Sequence, residues 1–215
     1  PALDALRAAV DRTVQAARRA AELAPGQAAN WSALGSIYLE IAPFTTGAAS
    51  AAQEAFNRAL KLSPADPALL TNLAIAKGDD AEASTLLRRA QEIRPNFALS
   101  ALELARLLGR QDKIDEALTE YRRALTLAPQ DPALRFEVGL FLIQKKRLTE
   151  AQTELEEAVR LAPNFSNARW FLAQLLEEKG EITAAVEQIQ KVLELNPENQ
   201  QAQTRLKELK TKAAK

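Results

Sequence analysis

The chain has no His and no Cys. Imidazole general bases, His-dependent triads, thiol nucleophiles and imidazole or thiolate metal ligands are therefore excluded, and so is any disulfide. Carboxylates remain, as the neighbours Glu156 and Glu157, Glu177 and Glu178, and Asp79 and Asp80. Adjacent residues of a helix point to different parts of its surface, so none of these pairs forms a shared acid–base site. Asp79 and Asp80 have no further liganding side chains near them, and Asp80 reads as the N-cap of a following helix. There is no Gly-x-Ser-x-Gly, no Gly-rich phosphate loop and no paired-glycine dinucleotide fingerprint. The expectation is a protein that is not an enzyme and uses neither cofactor nor metal. Two sequons, Asn30-Trp31-Ser32 and Asn164-Phe165-Ser166, would matter for glycosylation only in a eukaryotic secretory setting. The favoured reading makes them helix-opening residues.

With chemistry so thin, the elements themselves become informative. Of the 215 residues 47% are hydrophobic but only 5% aromatic, and Ala and Leu dominate, a composition of close-packed helices rather than sheets. The 28 basic and 28 acidic side chains also balance locally, with ten of each up to residue 97 and eighteen of each beyond. Neither nucleic acid nor an acidic membrane surface is an expected partner. Apolar runs are too short to cross a bilayer, so this segment is expected to be soluble, with no membrane insertion. The chain begins at Pro1 and has no Met, so it is expected to be a processed or trimmed product. Absence of both Met and Cys suits an oxidising exterior, and localisation leans to an extracytoplasmic or extracellular bacterial setting.

Prolines punctuate the sequence at Pro25, Pro64, Pro95, Pro129, Pro163 and Pro197, the last three 34 residues apart. Twelve residues before the last five prolines sits a small residue, and eight before a larger apolar one: Ala52 and Phe56, Ala83 and Leu87, Ala117 and Tyr121, Ala151 and Leu155, Ala185 and Ile189. A small residue lets two helices approach and the larger one fills the gap between them, so each unit is an antiparallel helix pair. In the partner helix, Leu34, Leu73, Leu104, Val138 and Leu172 are each followed at once by Gly or Ala. Between pairs, "APQDP" places Pro129 where a helix must stop and Pro132 where its missing N–H costs nothing, in a first turn.

With these residues the chain resembles the tetratricopeptide repeat family over nearly its whole length. The resemblance implies an all-α, right-handed superhelical solenoid of antiparallel helix pairs. Five repeats are expected, at 28–66, 67–97, 98–131, 132–165 and 166–199, flanked by half-repeats at 1–27 and 200–215. The first repeat is long in its internal turn, "EIAPFTTGAAS", and the second is short at "AKGDDAEAS". Long turns in solenoids often bind partners. Phe44 is therefore either a contact residue or a side chain tucked back over its own repeat. The segment from Asn30 to Ala74 also looks like the repeat region that follows the membrane domain in some bacterial O-antigen ligase-like proteins, which would place the chain in a cell-envelope assembly.

The family also implies a groove lined by the first helix of each pair. A carboxylate clamp would need Lys, Asn and Arg on successive first helices. Here that register carries Ser32, Ser36, Thr71, Asn72, Ile75, Leu102, Glu103 and Arg106. Only Asn72 fits the clamp, so binding of chaperone tails is not expected. The groove contacts expected are instead Asn72, Arg106, Phe136, Leu140, Ile143, Trp170 and Phe171, an apolar, aromatic-bearing wall suited to a helix or hydrophobic segment. Either Trp170 or Phe171 faces outward.

At the ends, Leu3, Leu6, Val10 and Val14 head an apolar stripe at helix spacing, and Ala202, Leu206 and Leu209 form another. These are complementary half-repeats. Stacked head to tail between copies they would build a filament or tube; otherwise the C-terminal one, with Lys207, Lys210 and Lys212 outside, is a solubilising cap. Two functions follow from the same architecture. One is a non-enzymatic protein–protein interaction scaffold that self-assembles through its ends, and the other is a monomeric groove module that binds an apolar peptide of another protein.

Overall fold

In the computed structural model, residues 2–78 and 81–214 are described, the side chains of residues 2–4 and 6 excepted. Every regular element among them is an α-helix. The helices fall into two compact units that divide between Leu127 and Ala128. The first holds α1 (Ala2–Leu23), α2 (Ala28–Ile41), α3 (Ala48–Leu62), α4 (Pro67–Lys77), α5 (Ala81–Ile93), α6 (Ala98–Arg110) and α7 (Ile114–Leu127). The second holds α8 (Pro132–Gln144), α9 (Leu148–Leu161), α10 (Ser166–Glu178), α11 (Ile182–Leu195) and α12 (Gln200–Ala213). Among the described residues no helix is long and apolar enough to cross a membrane.

Packing within each pair follows the small-and-large logic of the sequence. Ala52, Ala83, Ala117, Ala151 and Ala185 are all buried, and so are Phe56, Leu87, Tyr121, Leu155 and Ile189. What these larger side chains press against is visible at two glycines. A Cβ added to Gly35 in α2 would stand 2.7 Å from the Phe56 ring, and one at Gly139 in α8 would stand 2.9 Å from Leu155. The missing side chain on one helix is the seat for the large residue of the next. The outer helices use the same surfaces. Val14 and Ala21 of α1 are buried in one cluster with Trp31 and Leu34 of α2, while Ala202 and Leu209 of α12 are fully buried.

The turns between pairs are locked in a way that the prolines alone do not reveal. Asp66 and Asp131 are N-caps: the Asp66 carboxylate accepts from the N–H groups of Ala68 at 2.8 Å and Leu69 at 3.3 Å, the Asp131 carboxylate from those of Ala133 at 2.9 Å and Leu134 at 3.1 Å. Pro67 and Pro132 follow as first helical residues. In addition, each turn proline's carbonyl receives a side-chain donor. Trp31 donates to Pro25 at 2.9 Å, Arg135 to Pro129 at 3.4 Å, Arg169 to Pro163 at 2.8 Å and Gln203 to Pro197 at 2.7 Å, always from six residues on. Six residues beyond Pro64 and Pro95 stand Leu70 and Ala101, both buried. There the donor comes from farther along, Arg89 to Pro64 at 3.3 Å and Arg123 to Pro95 at 3.0 Å.

Inside the pairs, each turn holds one residue of positive φ. Gly78, Asp112, Lys146 and Gly180, spaced by 34, have φ of 68°, 58°, 58° and 81°. Lys113, Arg147 and Glu181 then donate their N–H groups back to Leu108, Leu142 and Leu176 at 2.9, 2.9 and 2.8 Å, closing the helix ends in the six-to-one pattern of a Schellman motif. In the longer first turn the positive φ, 82°, falls instead at Gly47, the N-cap of α3, and α2 ends on a right-handed Ala42. The proposed cap Asp80 lies outside the described residues.

Candidate protein-interaction face

In the second unit, α8 and α10 are the first helices of successive pairs and α12 follows in the same register, and side chains of the three line one face. Phe136 of α8 lies 4.9 Å from the ring of Phe165, just before α10, and 5.8 Å from that of Phe171 within it, both tilted. All three rings are half-buried, as are Leu140 and Ile143 farther along α8. Trp170 and Phe171, both half-buried, differ by one residue's rotation about α10. Phe171 turns back to α8. Trp170 turns the other way, where with Gln174 it forms one wall of an open cleft of about 470 Å3 whose other wall is Gln201, Thr204, Arg205 and Glu208 of α12.

Charges brace that cleft. The Glu177 carboxylate, with its side chain 10% exposed, accepts from the Arg205 guanidinium and from Lys212 at 2.6 Å. Arg205 also reaches Glu208 at 2.8 Å. One carboxylate of α10 thus ties down two cations of α12, which holds the far wall in place. Behind the Phe cluster, Arg135 pairs with Glu154 of α9 at 2.7 Å.

The remaining groove residues expected from sequence belong to the first unit. Asn72 on α4 and Arg106 on α6 are half-buried, and Arg106 pairs with Glu103 at 2.5 Å. Phe44, in the turn between α2 and α3, is 88% exposed and does not fold over its repeat. Of the end residues, Val14, Ala202 and Leu209 are spent on the chain's own core, Val10 and Leu206 are half-buried, and Leu3 and Leu6 have side chains outside the described residues.

A second cleft, of about 260 Å3, was not anticipated from the sequence. It lies in the first unit and is lined by Arg18 and Glu22 of α1, Trp31, Leu34 and Tyr38 of α2, and Ala51, Glu54, Ala55 and Arg58 of α3. Arg18 donates to the Tyr38 hydroxyl oxygen at 2.5 Å, and this bond raises the pKa of its guanidinium above the ordinary value. The Arg58 guanidinium stacks 4.6 Å from the Trp31 ring and pairs with Glu54 at 2.6 Å. The spacings 18 and 22, 31, 34 and 38, and 51, 55 and 58 are each one helix face, but only the packed structure brings the three together.

This is an all-α protein of stacked antiparallel helix pairs. Two tetratricopeptide repeat models match it, one over residues 102–164 and one over 142–212, together just over half of the chain. The chain belongs to the tetratricopeptide repeat family. No curated protein matches it by sequence. Among solved structures it is similar to MamA, residues 41 to the end, from Desulfovibrio magneticus RS-1, at 22% identity over 77% of this chain and 97% of that one, with a TM-score of 0.61. It is similar also to YrrB, described as a TPR protein with an unusual peptide-binding site, at 18% identity over 90% of this chain and 99% of that one, again with a TM-score of 0.61. At such identities the likeness speaks for the fold, the tetratricopeptide repeat solenoid.

Proposed function

We propose that the chain is a non-enzymatic protein–protein interaction scaffold of five repeats, at 28–66, 67–97, 98–131, 132–165 and 166–199, whose second unit holds an apolar-anchored segment of another protein. The observation that carries this reading is Trp170, an indole presented to an open cleft of about 470 Å3 whose opposite wall is pinned by Glu177. Trp, with Tyr and Arg, is enriched among binding hot spots, which sit in well-packed pockets. Phe136, Leu140, Ile143 and Phe171 extend the apolar surface along α8 and α10. In the first unit Asn72 and Arg106 are polar contacts on the corresponding helices, and Phe44 is an exposed anchor at a turn.

A photo-crosslinking residue at Gln174, compared with one at Thr183 on α11, tests it in extract of the native organism. One defined partner captured at 174 and not at 183, and lost on Trp170→Ala while helicity is unchanged, is the expected result. Equal capture at both positions, or capture indifferent to Trp170, refutes it.

A second reading, head-to-tail self-assembly, is favoured by one observation: α1 leaves Leu23 75% exposed and Ala16 and Ala20 exposed. The ends resist it through charge. α1 carries Arg7, Arg12, Arg18 and Arg19 against Asp4, Asp11 and Glu22, and α12 carries Arg205, Lys207, Lys210 and Lys212 against Glu208, so both ends are net positive, α1 only slightly. A joint between them is strengthened by salt, because screening weakens repulsion between exposed like charges. Sedimentation velocity that stays monomeric across concentration at both low and high salt rules the joint out.

A further inference from the structure

We propose that the face of α8, α10 and α12 takes its guest as an extended, uncharged segment and not as a helix, with an apolar residue of that segment over Phe136 and Leu140 and one of its backbone carbonyls on the Trp170 indole N–H. The inference deepens the reading of this face as the partner site and rests on it. Register orders the face. Seven and eleven residues beyond Pro129, Pro163 and Pro197 stand Phe136 and Leu140, Trp170 and Gln174, and Thr204 and Glu208. From α8 to α12 the wall thus passes from apolar, through an indole and a carboxamide, to polar. A segment laid across all three helices is matched when it is apolar at one end and polar at the other.

Charge decides what kind of polar group belongs there. Arg205 and Glu208 are the charged side chains of the cleft lining, and they pair at 2.8 Å, while Arg205 also holds Glu177. An ionic guest would shed water and meet no unpaired counter-charge. The groups left open are neutral. Trp31 spends its indole N–H on the Pro25 carbonyl at 2.9 Å, but Trp170, with its ring half-buried, has no acceptor for its N–H among the described residues. The side-chain amides of Gln174 and Gln201, on opposite walls of the cleft, also have no partner there. A buried indole N–H ordinarily finds an acceptor. Each carboxamide offers a donor and an acceptor together, the same pair that a peptide group offers. A helical guest has already joined its N–H and C=O groups to one another, whereas an extended one has both to give.

The test follows the Trp170 indole N–H by nitrogen–proton correlation spectra of the full-length chain. Its signal is told from that of Trp31, the other tryptophan, by its loss in Trp170→Phe. The probe is acetyl-Leu-Val-Ala-Thr-Ala-Asn-Ser-amide, titrated beside a version with Asp for Asn and a version with helix-enforcing aminoisobutyric acid for both Ala. The expected result is a saturable downfield shift at Trp170 and none at Trp31, with affinity about tenfold lower for each altered peptide. Leu140→Asn lowers the affinity of the first peptide by a similar factor, and Thr183→Ala, on α11, leaves it unchanged; circular dichroism confirms that both variants fold. In Glu177→Gln, which releases Arg205 and Lys212 from their shared carboxylate, the discrimination against the Asp peptide narrows. Equal or tighter binding of the Asp peptide overturns the neutral guest, and equal or tighter binding of the helical version overturns the extended one. A Trp170 signal unmoved by all three peptides overturns the inference as a whole. The partner site itself stands or falls separately, on capture at position 174.

Discussion

Replacing Gly35 by Ala sets two opposed effects against each other. In a helix interior Ala is favoured over Gly by about 0.8–1.0 kcal/mol, so propensity alone makes the variant more stable. The added Cβ, however, would lie 2.7, 2.8 and 2.9 Å from three atoms of the Phe56 ring. That ring is fully buried and has no free end to swing aside. Overpacking of this kind costs about 1–3 kcal/mol, so the net change is a loss of about 1 kcal/mol. Urea unfolding followed at Trp31 in a Trp170→Phe background, where Trp31 is the one indole and shares a buried cluster with Phe56, reads this locally. The same substitution is then made on a Phe56→Leu background. There the slimmer side chain yields, and Gly35→Ala becomes stabilising by about its helix-propensity gain of 0.8–1.0 kcal/mol. The reversal of sign between backgrounds is the signature of direct coupling. A raised midpoint for Gly35→Ala in the original background refutes the idea that the missing Cβ is a seat for the ring.

Lys146→Gly relieves a left-handed backbone in a Lys, a conformation worth about 1–2 kcal/mol against an L-residue, and after the entropic penalty of Gly should raise stability by about 0.5–1 kcal/mol in unfolding monitored at Trp170; a loss instead would point to side-chain contacts of Lys146 that matter more. Asp131→Ala removes the cap that accepts from Ala133 and Leu134 and should cost about 1 kcal/mol by the same assay, with Asp131→Asn recovering most of it. Glu177→Gln weakens both cation contacts to α12; with partners 30% and 56% exposed the effect is discounted to about 1 kcal/mol. Hydrogen exchange should then quicken in α12 and not in α8. Unchanged protection of α12 means that Ala202 and Leu209 hold the helix without help.

What the sequence could disclose depended on whether a feature was local to the backbone. The proline joins, the small residues and the larger ones opposite them follow from sterics of a few residues, and they are recognisable by spacing alone. The left-handed residues were half visible. Gly78 and Gly180 announce themselves, while Asp112 and Lys146 do not, and only the 34-residue register ties them together. Asp66 and Asp131 precede Pro67 and Pro132 and were legible as caps had the Asp-Pro pairs been read for their carboxylates. The choice between Trp170 and Phe171 was not legible, because neighbouring residues on an amphipathic helix differ by a rotation that packing decides. Least visible was the cleft of Arg18, Tyr38 and Arg58. Its members are scattered over three helices at ordinary helical spacings, and an arginine bonded to a phenol leaves no motif.

The carbonyls of the turn prolines also bear on how such a chain could be lengthened or shortened. Where the donor is six residues on, as at Pro25, Pro129, Pro163 and Pro197, the turn and its lock travel together on one short piece. Such a piece can be duplicated or moved without orphaning a carbonyl. At Pro64 and Pro95 the lock is an arginine two helices downstream, on α5 and α7. Cutting the chain after α4 or α6 strands the preceding turn. Insertion and deletion of modules are thus easiest at the two ends of the chain and most costly across α3 to α7, where each turn is completed by a helix that has yet to emerge when the turn itself is synthesised.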